Sequence, residues 1–156
     1  MRPDPAPTRS RLGVVLVALQ FSLIAVLGTL AAPAFIAGRA TAVAWILFPA
    51  GLMLMLWSLH ANRPGNFNIH PAPRAGGHLV QQGPYRWVRH PMYTAVFTCA
   101  LGCWSARPSL AVGVAAAALV VVLATKAALE ERWMLSAHPG YADYQARTRR
   151  FVPGLY

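Results

Sequence analysis

Gly83-Pro84-Tyr85-Arg86-Trp87-Val88-Arg89-His90-Pro91-Met92-Tyr93 sets two arginines, a histidine and three aromatics directly before an apolar run. Such a cluster is costly to hold at a membrane surface unless something binds there. The stretch therefore reads as half of a ligand site and as the head of a helix. Pro91 suits the first helical turn, where its missing N–H leaves no intrahelical bond unmade.

Working outward, the run after the cluster, 92–106, is apolar but only 15 residues long, about 22 Å as a helix against a hydrocarbon core of about 30 Å. The turn Arg107-Pro108-Ser109 leads into a further apolar run, and together they predict a helical hairpin with spans at 92–106 and 109–128. Upstream, a polar connection over 60–91 is rich in Pro, Gly, Arg and His, and loops of that length tend to be functional. Before it lie two more apolar spans, 12–35 and 40–59. The second has Trp45 and Trp57 near its ends, where interfacial aromatics are favoured, and Pro49 in its middle, which predicts a kink. Residues 1–11 form a Pro- and Arg-rich tail expected to be disordered. Residues 129–156 read as an amphipathic lid. The expected fold is an all-α membrane protein, one integral-membrane domain over 12–156, with four transmembrane helices and a cytoplasmic amphipathic C-terminal helix.

Composition supports this reading. Apolar residues make up 56% of the 156 and charged residues 12%, where a soluble domain carries about 25% charged residues. The net charge of +10 reflects only four acids, Asp4, Glu130, Glu131 and Asp143. The bases sit in short segments between apolar runs, which fits lipid headgroups and topology control better than nucleic acid. Counted by segment, Lys and Arg number three, one, four, one and five. That alternation places both termini and the Gly83–Tyr93 cluster in the cytoplasm, in a bacterial inner membrane given the Ala/Arg/Pro-rich composition. Ala32-Pro33-Ala34 loosely resembles a signal-peptidase site, but the apolar stretch before it exceeds the usual 7–15 residues or so. Cys99 and Cys103, four apart in an apolar run, read as packing residues.

Two features carry chemistry. Glu130 and Glu131 continue the last span as it leaves the hydrocarbon, where a carboxylate needs water or a partner. Arg89 and His90 head a helix near the interface, where free N–H groups and a guanidinium would bind a carboxylate or phosphate. Both signs of charge at one membrane cavity suit a zwitterionic ligand. No dinucleotide-binding glycine motif, Walker loop or Gly-x-Ser-x-Gly is present, and the five histidines lack ligand spacing, so no metal is expected. The spans are expected to hold no buried lysine, arginine or acid.

Gly83-Pro84-Tyr85-x-x-x-Arg89-His90-Pro91-x-Tyr93, Gly102, Glu130-Glu131-x-x-x-Leu135, Tyr141-x-x-Tyr144 and Arg150-x-x-Pro153 together resemble the isoprenylcysteine carboxyl methyltransferase family, related to the phospholipid N-methyltransferases. The resemblance covers about residues 60–156. It implies a membrane enzyme using S-adenosyl-L-methionine and a lipophilic acceptor, with carboxyl O-methylation of an isoprenylcysteine-like substrate favoured. It further implies Tyr85, His90, Pro91, Tyr93, Glu130, Glu131 and Tyr144 at the cofactor, and Arg89, Glu131 and Arg150 in catalysis. Tyr141 and Tyr144 would help close the lid. Ala95 stands where the family usually has glycine, and His138-Pro139-Gly140 replaces its commoner linker. An amine or thiol acceptor, an NADPH-dependent membrane reductase and a non-catalytic membrane adaptor are the other readings.

Overall fold

Long apolar runs make helices wherever backbone groups must be satisfied without water. A computed structural model describes residues 11–62 and 78–155, and in it those runs form α1 (Arg11–Ile36), α2 (Ala42–Asn62), α3 (Pro91–Ala106) and α4 (Leu110–Ala137), followed by a short α5 (Tyr141–Arg147). The tail over 1–10 and the middle of the connection, 63–77, lie outside the described residues, and Arg11 already belongs to α1.

The expectation of four spans is corrected. Among the described residues, three helices are long and apolar enough to cross a membrane: α1 with 26 residues, α2 with 21 and α4 with 28. The third, α3, has 16 residues and reaches about 24 Å, short of a hydrocarbon core of about 30 Å. An apolar run marks a buried helix; its length decides whether that helix spans. The protein is nonetheless a multi-pass integral membrane protein of all-α fold. The C-terminal part also differs from expectation, because α4 runs unbroken to Ala137 and the separate helix after it has only seven residues.

Local chemistry sets the turns. Gly38 adopts φ 64° after α1, a left-handed conformation that glycine takes without penalty, while the Arg39 and Ala40 amides donate back to the Ala34 carbonyl. Thr41 caps α2 by accepting from the Ala44 amide at 3.1 Å, and its hydroxyl lies 2.7 Å from that of Ser105 on α3. Ser109 caps α4 in the same way. Arg107 donates to the Leu30 carbonyl at 3.0 Å, tying the hairpin turn to α1.

Two close helix pairs result. Against α3, α2 approaches through Gly51: a Cβ there would stand 2.5 Å from Cys99 Sγ and 2.8 Å from the Ala95 carbonyl oxygen. Gly102 of α3 meets Phe48 somewhat less closely, a Cβ there standing 3.0 Å from the Phe48 backbone nitrogen. Small residues at such contacts are how membrane helices gain van der Waals contact when lipid is as apolar as leucine. Cys99 serves this interface, its thiol directed at the Phe48 carbonyl, while the buried Cys103 joins the core cluster with Leu27, Ala31 and Val112. The fully buried Ala95 thus answers to α2. On the other side, α1 packs on α4 around Leu27, Ala31, Val112, Leu119 and Leu123. Outward, Val15, Ile46, Met53, Leu56, Val114 and Val121 are exposed, an apolar surface suited to acyl chains.

Candidate active site

The backbone of the Gly83–Tyr93 stretch is fixed first. A 3₁₀ turn at Gly83–Arg86 docks on the end of α2: Gly83 has φ 59°, and a Cβ there would lie 2.9 Å from that of Ala61. The chain then runs parallel to the segment after α5. Arg89 N donates to Arg149 O at 2.8 Å, His90 N to Arg150 O at 3.1 Å, and Arg149 N to Trp87 O at 3.0 Å. This strap was not read from the sequence. It corrects the expectation of free amides at the head of α3, because the Arg89 and His90 amides are spent on it, while Tyr93 and Thr94 donate to the His90 carbonyl.

Glu131, 3% exposed, is the hub of the side chains. Its Oε1 accepts from Arg89 Nε at 2.8 Å, from His90 Nε2 at 3.1 Å and from Arg150 Nε at 3.2 Å. Its Oε2 accepts from Arg150 at 2.7 Å and from the Gln145 amide at 3.2 Å. A carboxylate offers about four lone-pair sites, so this one is saturated by the protein. Arg89 is equally engaged, donating also to the Gln145 and Thr148 carbonyls at 3.1 and 2.6 Å. The three residues expected to act in catalysis, Arg89, Glu131 and Arg150, are therefore gathered at one point and bound to each other.

Glu130 differs. Its side chain is 20% exposed; Oε1 accepts from the Tyr93 hydroxyl at 2.5 Å and Oε2 lies 3.4 Å from His90 Nδ1. His90 therefore stands between two carboxylates, its ring stacked 5.3 Å from that of Tyr93. Burial alone would lower the imidazole pKa, but hydrogen bonds to Glu130 and Glu131, reinforced by their charges, leave it raised above the usual histidine value. Pro91, the first residue of α3, is fully buried. Tyr144 donates to the Tyr85 carbonyl at 2.7 Å, and burial pushes the pKa values of both phenols up, so each remains a neutral donor. Tyr141 packs edge-on against Tyr144. All of the expected site residues thus lie at one end of the bundle, where α1 begins and α2 and α4 finish.

Sequence reasoning missed four residues of consequence, Lys126 with Gln20 and Gln145 with Thr148. Lys126 is 2% exposed inside α4, against the expectation that the spans hold no buried base. Its ammonium donates to Gln20 of α1 at 2.9 Å and sits 5.4 Å over the Tyr93 ring. The available signal was spacing: Lys126 lies one helical turn before Glu130, and Gln20 is a lone amide in an apolar run. Gln145 and Thr148, which complete the Glu131 network, gave no signal beyond nearness to Tyr144.

The same segments are matched by comparison with known proteins. The Phospholipid methyltransferase family matches residues 39–139, from just before α2 through both glutamates; α1 and the Arg149–Arg150 side of the strap fall outside. The cobalt-zinc-cadmium resistance protein CzcN of Cupriavidus metallidurans is 35% identical over 88 residues, 56% of this chain and 41% of the relative. The chain thus aligns with less than half the length of that protein. These matches support a small membrane-embedded methyltransferase related to the phospholipid methyltransferases, and not specifically the isoprenylcysteine carboxyl methyltransferases. By the extent of the match, the chain belongs to the phospholipid methyltransferase family.

Proposed function

We propose that the protein transfers a methyl group from S-adenosyl-L-methionine to a lipophilic acceptor carrying an amine. The observation that carries this reading is the division of labour between the two acids: Glu131 is saturated and Glu130 is not. A half-buried carboxylate beside neutral tyrosines suits a ligand bearing an ammonium and a sulfonium. When bound, that cofactor supplies an electrophilic methyl group. The residues of the chain align, exclude water and move a proton. Tyr93 and His90 fix the Glu130 carboxylate, and Glu130 accepts the proton that the acceptor nitrogen must lose. Arg89, Glu131 and Arg150 hold the strap and the head of α3 in register, so that positioning, the main requirement of an in-line displacement, is met by a prebuilt frame. A carboxylate acceptor of the isoprenylcysteine type is less well served, because Arg89 and Arg150 are drawn to Glu131. The site end carries Arg11, Arg86, Arg89, Arg132, Arg147, Arg149 and Arg150, and the opposite end Arg39 and Arg107; that asymmetry supports a cytoplasmic site.

Calorimetric titration of the detergent-solubilised protein with S-adenosylhomocysteine and with NADPH tests the reading. S-adenosylhomocysteine should bind and NADPH should not. Glu130→Gln should weaken binding about tenfold or more, as expected for one charge-assisted hydrogen bond. Binding of NADPH alone would make the protein a reductase, and binding of neither an adaptor.

A further inference from the structure

Beside the Glu131 network, an open cleft of about 520 Å³ has Tyr144 and Thr148 in its lining and Gln81, Gln82, Arg86 and Arg147 around it. Nothing in the proposed methyl transfer uses its two arginines. Arg147 donates to the Asp143 carbonyl at 3.2 Å and to Gln81 Oε1 at 3.4 Å, and the Arg86 guanidinium lies 5.2 Å over the Trp87 ring. Among the described residues neither has a carboxylate within 4.0 Å; the ion pairs there involve Arg89, His90 and Arg150. The chain offers only four acids to fourteen lysines and arginines, and two of the four are held in the active site. Among the described residues the cleft therefore presents two guanidiniums with no carboxylate in ion-pair contact, Asp143 on the same helix meeting Arg147 through its backbone carbonyl.

Its depth is marked by tryptophan. Trp87 meets Trp57 of α2 edge-on at 5.8 Å, and both are about half-exposed. Tryptophans with one apolar and one wet side settle at the boundary between hydrocarbon and headgroups. Gly83, wedged against Ala61 and Trp57, fixes the wall of the cleft to the end of α2, whose Met53 and Leu56, earlier along the same helix, are exposed. Guanidinium pairs and amide donors at headgroup depth, over an apolar face, match a phosphate ester with acyl chains attached.

We propose that this cleft binds the phosphodiester of an anionic membrane lipid, with the phosphate between Arg86 and Arg147 and the acyl chains along α2. The cleft adjoins the methyl-transfer site, sharing Tyr144 in its lining, but the proposal does not rest on the methyl-transfer reading. The test is calorimetric titration of the full chain in detergent with dihexanoyl phosphatidylglycerol, dihexanoyl phosphatidylcholine and inorganic phosphate. Phosphatidylglycerol should bind saturably and about tenfold tighter than the other two, and the double variant Arg86→Gln/Arg147→Gln should lose about tenfold of that affinity. Arg132→Gln, exposed but outside the cleft, should change it less than about twofold. If the double variant does not fold, Arg86→Gln alone should still weaken binding about threefold. Unchanged affinity in the cleft variants overturns the proposal. So does inorganic phosphate binding as tightly as the lipid, which assigns the cleft to a free anion, and so does displacement of the lipid by S-adenosylhomocysteine, which assigns it to the methyl donor. Failure of S-adenosylhomocysteine to bind at all leaves the lipid titration intact, so the two readings fail separately.

Discussion

At the scale of single residues, two adjacent glutamates have opposite duties. Glu131 lies against two guanidiniums and an imidazolium with its side chain 4% exposed. Removing its charge leaves those cations facing one another in a poorly solvated place, which costs about 3 kcal/mol or more. Glu131→Gln should therefore lower the thermal midpoint in detergent markedly, while Glu130→Gln should leave it close to wild type and act on ligand binding instead. Equal midpoints for the two variants would refute the division. His90 gives the pH signature. Its folded pKa is raised, so its contribution to stability is fully present below the unfolded value of about 6.5 and is lost as pH rises through the higher folded value. The thermal midpoint should fall as pH rises above neutral, and His90→Gln should flatten that dependence. The identity of these residues was legible because Glu130-Glu131 and Arg89-His90-Pro91 are charged groups where apolar runs end. Which acid would be saturated was not legible, since Gln145 and Arg150 reach Glu131, and Thr148 reaches Arg89, only once the strap is folded.

At the scale of elements, the strap and the α2–α3 contact govern the site from either side. Arg149→Pro removes the amide that donates to the Trp87 carbonyl, and the backbone around it should open. Hydrogen exchange at the Arg89 and His90 amides should then quicken tenfold or more, which is about 1.4 kcal/mol of lost protection. Unchanged exchange would mean that the side-chain network alone holds the segment. At the helix pair, Gly51→Ala sets a methyl group against Cys99 Sγ, the Cys99 amide and the Ala95 carbonyl, an overpacking expected to cost about 1–3 kcal/mol. Two of those three atoms are backbone, so Cys99→Ala should not rescue it, and a full rescue in thermal melts would show that the helices can separate. The helices themselves were legible from apolar runs, from Pro91 at the head of α3 and from the turn Arg107-Pro108-Ser109. The parallel pairing of Val88 with Arg149 was not, because a short bridge between two polar segments has neither apolar periodicity nor a hairpin turn to announce it.

At the scale of the whole molecule, a polar chain runs from Gln20 through Lys126, Tyr93 and Glu130 to His90. It ties α1, which lies outside the family match, to the residues of the site. Losing one member of a buried pair costs more than losing both. Gln20→Leu should thus destabilise the protein more than Gln20→Leu/Lys126→Met does, and the reverse order in thermal melts would make the pair incidental. The number of spans was misjudged because each apolar run was counted as a crossing, and α3, at 16 residues, is too short to be one. That shortness has a physical result. The head of α3 supplies Tyr93 and His90, while the much longer α4 supplies Glu130 and Glu131, so the two halves of the site ride on helices with different hydrophobic lengths. A change in bilayer thickness is met chiefly by tilting the longer helix, which slides one half of the site past the other. Acyl-chain length in the surrounding membrane thereby becomes a control on the geometry between Tyr93 and Glu130, and affinity for the methyl donor should pass through an optimum as nanodisc lipids are lengthened.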